Sequence, residues 1–170
     1  MESGIIKKHQ AVLLLPYNNE AKIAAIKVFG KQRQAKAYAG ENIGLVLDKN
    51  FAVKRGDIIT GLQDPPKPTH RFKGNLFWLS QRPLETNKTM TFRCATQEAC
   101  CFAERIEKRI DSSTLNIIEE IAKELRINEA ALVTFVINPP IVIEKFSFTE
   151  ELGRFSIEDG CEPVGIGIYV

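Results

Sequence analysis

Gln63-Asp64-Pro65-Pro66-Lys67-Pro68-Thr69-His70 carries three of the chain's eight prolines. Proline fixes its own φ, lacks a backbone N–H and pushes the residue before it out of the helical region, so this stretch supports neither helix nor ladder. It reads as an extended linker over residues 65–70, with one unit before it, residues 1–64, and one after it, residues 71–170. A chain of 170 residues and 19.1 kDa accommodates two small domains.

Upstream of the prolines the pattern is strands and turns. Ala11 to Leu15 is a short apolar run ended by Pro16 and the turn-like Asn18-Asn19. Ala21 to Val28 and Asn42 to Leu47 read as further strands, with Gly30, Gly40 and Gly44 between or beside them. Lys54-Arg55-Gly56-Asp57 is a turn feeding Ile58 to Leu62. Downstream, residues 72–79, 89–95, 98–110, 131–137, 141–145, 154–158 and 164–170 are strand-like. Ile117, Ile118, Ile121 and Leu125 fall at helical spacing, Asn116 with Glu119 fits a capping pattern, and Glu119 with Lys123 adds an i,i+4 pair. The expected fold is all-β in the main: two small β-barrels in tandem, the second with one short helix over residues 117–125.

Composition narrows the chemistry. Hydrophobic content of 44% with 26% charged residues is that of a globular chain, and no apolar run reaches the roughly 20 residues a membrane span needs. The first ten residues lack an apolar core for a secretory leader, so the expected compartment is the cytoplasm, with no membrane partner. The net charge of +2 hides an asymmetry: residues 1–67 hold 11 Lys and Arg against 6 Asp and Glu, whereas residues 68–170 hold 12 against 15. A basic first unit suits phosphate or an acidic partner, and Lys22, Lys27, Lys31, Arg33 and Lys36 are its candidate contacts. Only Phe29 and Tyr38 are near enough to stack on bases.

Catalytic constellations are missing. No Gly-x-x-x-x-Gly-Lys-Ser/Thr loop occurs: Gly30-Lys31 has Ala25 where the leading glycine belongs, and Gly44 is followed by Leu45. His9 and His70 are the two histidines, one near the N-terminus and one beside the prolines. The acid pairs Glu119-Glu120, Glu150-Glu151 and Glu158-Asp159 do not converge, because neighbours in a strand or helix diverge. Cys94, Cys100, Cys101 and Cys161 show no Cys-x-x-Cys spacing, and Cys100 and Cys101 should face opposite sides of a strand. No catalytic residue, metal ligand or cofactor-binding residue is therefore expected.

The order of the pieces carries a resemblance. Glu2-Ser3-Gly4-Ile5-Ile6-Lys7-Lys8, then Ala39-Gly40-Glu41-Asn42-Ile43-Gly44-Leu45-Val46-Leu47, then Val53-Lys54-Arg55-Gly56-Asp57-Ile58-Ile59 resembles the second domain of translation-factor GTPases. The resemblance implies a β-barrel in which Gly40 and Gly44 shape a turn and Arg55-Gly56-Asp57 leads into the closing strand. The second unit resembles the third domain of that superfamily. Phe77-Trp78-Leu79-Ser80-Gln81-Arg82-Pro83-Leu84, Asn128 to Val133, Pro140 to Ile143 and Gly153-Arg154-Phe155-Ser156-Ile157-Glu158-Asp159 are similar to the large, GTPase subunit of bacterial sulfate adenylyltransferase. Elongation factors Tu and 1 alpha share the Gly-Arg-Phe ending. The chain departs from the pattern at Gly160-Cys161-Glu162-Pro163-Val164-Gly165, where relatives carry Thr or Asn and then Thr-Val.

That resemblance implies a role in sulfate assimilation. In the family a GTPase domain, which holds GTP and Mg, drives adenylyl transfer from ATP to sulfate on a separate small subunit. The resemblance begins after the expected first strand of the first barrel, so the GTPase domain and that strand are expected to belong to a longer parent. The implied partners are the parent's N-terminal GTPase domain and the adenylyltransferase small subunit. The polypeptide alone is expected neither to bind GTP nor to make adenylyl sulfate. The alternative is a pair of elongation-factor barrels that bind aminoacyl-tRNA; a third reading is a standalone interaction protein.

Overall fold

The computed structural model describes residues 1–28, 30, 34–114 and 116–170. Strands account for 60% of it and helix for 2%, as expected of an all-β chain. The chain divides into two compact units, Met1–Pro66 and Lys67–Val170. No helix among the described residues is long and apolar enough to cross a membrane.

The first unit comprises β1 (Ile5–Lys7), β2 (Ala11–Leu15), β3 (Asn19–Val28), β4 (Lys36–Tyr38), β5 (Ile43–Leu47) and β6 (Ile58–Thr60). β5, β3, β2 and β6 pair in that order, all antiparallel, and β1 pairs with β4 as a separate ladder. Along β3, Ala21, Ile23 and Ile26 are buried while Lys22 and Lys27 are exposed. The alternation skips at a register shift between Ile23 and Ala25, which keeps Ile26 in the core. That core is Val12, Leu14, Ala21, Ile23, Ile26 and Ala37, flanked by half-buried Ile6, Ile43, Leu45 and Ile59.

Two expectations need correction here. Gly44 does not shape the turn; it is the second residue of β5, opposite Lys27, because the chain has already reversed at Ala39-Gly40 and is extended from Ile43. β6 does not close the sheet either. It pairs with β2 and ends the order, so the unit is a half-barrel.

The second unit comprises β7 (Pro68–Trp78), β8 (Leu84–Glu85), β9 (Met90–Cys94), β10 (Gln97–Asp111), β11 (Ile117–Ala122), β12 (Glu124–Leu125), β13 (Glu129–Val142), α1 (Glu150–Gly153), β14 (Arg154–Asp159) and β15 (Glu162–Tyr169). The order β10-β13-β7-β15-β14-β9 closes because β9 also pairs with β10, making a six-stranded barrel. β7 begins at Pro68, so Pro68, Thr69 and His70 are strand rather than linker; residues 68 and 69 pair with Val142 and Ile141. A proline at the first position of a strand takes nothing from the ladder.

The second unit's helix is α1, not residues 117–125. Ile117 to Ala122 form β11 along the outer edge of β10, and Glu119 faces Arg109 at 3.4 Å instead of pairing with Lys123. Isoleucine is stiff at χ1 and fits a pleated surface, and a helix of that length is marginal on its own. Ile117, Ile118 and Ile121 are all exposed, so their spacing marks no buried face; the strand is irregular, with a register shift opposite Arg109 and Ile110 and a left-handed Ile121 (φ 56°).

Candidate functional site

The residues quoted for the second unit's motifs have structural work that can be read from the barrel interior. Phe155, the third residue of the Gly-Arg-Phe run, enters the core and stacks on Phe92 with ring centroids 5.2 Å apart. It meets Phe72 and Phe135 edge-on at 5.4 and 5.6 Å, while Phe72 also touches Tyr169. Offset and edge-to-face contacts of this kind add to the area buried. The stack fits because Gly74 and Gly167 lack side chains: a Cβ there would stand 2.8 Å from Phe155 Cε1 and 2.4 Å from its Cζ, respectively. Gly153, at the end of α1, makes room for something else: a Cβ there would run into the backbone of Phe146. Arg154, by contrast, points outward and reaches Glu151 at 3.1 Å and Glu150 at 4.0 Å.

Trp78 is buried, and its indole N–H donates to the carbonyl of Arg82 at 2.7 Å, so the Trp-to-Pro turn is tied by the tryptophan that precedes it. Arg82 N–H donates to Ser80 Oγ within that turn. Asp159 pairs with Lys88 across the barrel end, and that ammonium holds its carboxyl below the usual range. Lys88 thus belongs to the motif's environment, a partner invisible in linear spacing because 71 residues separate the two.

On the outer wall, register aligns Ala130, Phe77, Ile166, Ser156 and Arg93 in one row across β13, β7, β15, β14 and β9. Ile166 is 50% exposed. The row floors a concavity of about 730 Å³ with Arg154 at its margin. Arg93 is held charged by Glu158 at 2.7 Å and Glu98 at 2.7 Å, so the margin is a set of surface ion pairs around an apolar floor. Such an apolar wall rimmed by ion pairs can bind another protein. No group of three or more metal-ligating side chains is found among the described residues. The thiols of Cys94 and Cys101 are buried and pushed up to about 11 and about 12 by that burial. Cys100 is exposed beside buried Cys101, as strand alternation requires.

In the first unit, Gly40 and Gly56 adopt φ of 84° and 98°, where L side chains are strained. Arg55-Gly56 form a turn closed by Asp57, whose carboxylate accepts from Lys54 N–H at 2.8 Å and whose N–H donates to Lys54 O at 3.1 Å. Lys22 and Lys27 project from β3 and Lys36 from β4, all exposed. Lys31 and Arg33 lie outside the described residues. The structure adds Lys7 and Lys8. Lys7 is the cross-strand partner of Lys36, and Lys8 N–H donates to Ala35 O at 2.9 Å. The sequence signal was the Lys7-Lys8 doublet; its pairing with Lys36 is a long-range register.

Comparison with known proteins agrees with this architecture. Residues 71–170 match the family model described as GTP-eEF1A C-terminal domain-like. The chain is 26% identical to sulfate adenylyltransferase subunit 1 of Shewanella woodyi, covering 97% of this chain and 34% of that protein. It is 31% identical to elongation factor 1-alpha of Methanothermobacter thermautotrophicus, covering 100% of this chain and 42% of that protein. The chain therefore spans between a third and about two fifths of the length of these relatives. A crystal structure of sup35 complexed with GDP is similar in fold, with a TM-score of 0.91 at 21% identity over 99% of this chain and 42% of that one.

Proposed function

Because the chain belongs to the GTP-eEF1A C-terminal domain-like family, we propose that its barrels dock and relay for a GTPase that drives the making of adenylyl sulfate from ATP and sulfate. The chain is a translation-factor-like β-barrel protein. A closed ladder around a packed aromatic stack resists bending, so a nucleotide-dependent movement of a GTPase domain against it becomes a change of interface and not a deformation. These residues bind and orient partners; GTP and Mg, when bound to the GTPase domain, supply the switching chemistry. This polypeptide by itself neither binds GTP nor forms adenylyl sulfate, since its sequence has no phosphate-cradling loop. The cytoplasm is the compartment that suits this role.

The observation that supports the sulfate branch is the likeness to the Shewanella woodyi subunit over 97% of this chain. Elongation factor 1-alpha relatives match over as much of it, which favours a second reading in which the first unit contacts aminoacyl-tRNA. Passing purified adenylyltransferase small subunit and aminoacyl-tRNA in turn over immobilised protein separates the two. Retention of the small subunit alone is expected. Retention of aminoacyl-tRNA alone, weakening with salt and lost when Lys22 is reversed in charge, overturns the sulfate reading in favour of the second.

A further inference from the structure

The β1–β4 ladder places two lysines, Lys7 and Lys36, directly opposite each other. Lys8 N–H donates to Ala35 O and Ala39 N–H to Gly4 O, so the pairs on either side of Ile5–Tyr38 and Lys7–Lys36 are the hydrogen-bonded ones. Ile5–Tyr38 and Lys7–Lys36 are then the non-hydrogen-bonded kind, whose Cα atoms stand only about 4.5 Å apart. All four residues are exposed and share the outer face, while Ala37 is buried on the inner one. Like charges directly opposite in this class destabilise a ladder. Among the described residues, no carboxylate is in ion-pair reach of Lys7, Lys8 or Lys36. A concavity of about 550 Å³ adjoins Lys7 and Lys8, bounded by Ile5, Lys7, Lys8, His9 and Gln10.

We infer that this face is a docking surface for the acidic surface of a partner protein, with carboxylates seated between Lys7 and Lys36 and an apolar side chain on Ile5 and Tyr38. Ile5 and Tyr38 are 53% and 52% exposed, and tyrosine is among the residue types enriched as anchors of protein contacts. A nucleic-acid strand fits less well. Its backbone needs a stripe of like charge, but the next pair on this face after Lys7 and Lys36 is the uncharged Ile5 and Tyr38. One outward N–H on each strand is already taken, that of Lys7 by Gln10 Oε1 and that of Tyr38 by Glu41, which disfavours strand addition. The inference borrows from the docking role above only its purpose; its test uses neither the small subunit nor GTP.

The test titrates poly-L-glutamate and a uridine dodecamer separately into the full chain at low salt. Poly-L-glutamate is expected to bind more tightly than the RNA, and the double variant Lys7→Glu with Lys36→Glu to weaken it about tenfold or more. The single variant Lys7→Glu makes an opposite-charge pair with Lys36, so it should bind more weakly while melting no lower than the parent; this separates lost binding from lost folding. Tighter binding of the dodecamer, no binding of either probe, or poly-L-glutamate affinity unchanged in the double variant would each overturn the inference. Failure here leaves the small-subunit experiment to be read by itself.

Discussion

The ring of Phe155 lies on the bare Cα of Gly167, so close that a Cβ on that glycine would come within 2.4 Å of Cζ. The same Cβ would stand 2.4 Å from the carbonyl oxygen of Asn75 on β7, leaving neither side room to give. Phe155 of β14 and the glycines of β15 and β7 are therefore one packing unit drawn from three strands.

Gly167→Ala should accordingly destabilise the second unit by about 1–3 kcal/mol, the usual cost of forcing extra volume into a packed core. Gly61→Ala is the control, because nothing lies within 4 Å of a Cβ there. Urea unfolding of both variants checks this, and equal midpoints would refute the packing argument. Phe155→Ala, which empties the centre of the stack, should cost about 3–5 kcal/mol.

Gln97 works as a substitute strand. Its amide donates to Val142 O at 2.7 Å and accepts from Val142 N–H at 2.8 Å, all of it buried. Gln97→Leu leaves a buried N–H and a buried C=O without partners, at about 1–3 kcal/mol each. Hydrogen exchange should then show Val142 losing protection ahead of the neighbouring β7 amides. Retained protection at Val142 would mean that another group takes over both bonds.

Acid should loosen the second unit through Glu107 and Asp159. Lys73 and Thr134 hold the Glu107 carboxyl below its ordinary 4.5, and Lys88 holds Asp159 below its ordinary 3.8. Because both are lowered in the folded state, their stabilisation is complete above those ordinary values and is lost as pH falls through the lowered ones. Lys88→Met removes the Asp159 share, so its melting temperature should lie closest to that of the parent at the lowest pH. A gap between the two that widens on acidification contradicts the assignment. Both pairs are largely solvent-screened and their effect is modest.

Thiol reactivity sorts the cysteines. At neutral pH, iodoacetamide should modify exposed Cys100 and Cys161 in the folded protein and spare Cys94 and Cys101, whose thiols sit near 11 and 12. Mass spectrometry of native and urea-unfolded samples reads this directly. Early labelling of Cys101 would show that the β10–β13 wall opens.

Much of this was legible in linear order. Alternating burial along β3 and β7, the chain division near Pro66, the Lys54–Asp57 turn and the opposed Cys100 and Cys101 all follow from period-two side-chain geometry and local turn chemistry. The Ile117–Leu125 segment has helical spacing yet is strand, because Ile117, Ile118 and Ile121 are exposed rather than packed on a core and the edge of β10 offers hydrogen bonds to β11. Gly44 was misread because a glycine near a turn does not reveal whether it lies inside it.

Sequence alone determined the all-β class and the positions of most strands, since these rest on contacts within a few residues. Tertiary structure alone decided which strands close into a barrel, why Gly74, Gly167 and Phe155 belong together, and that Lys7 stands against Lys36. Those facts depend on register between segments far apart in the chain, where a shift of one residue would turn every side chain to the other face.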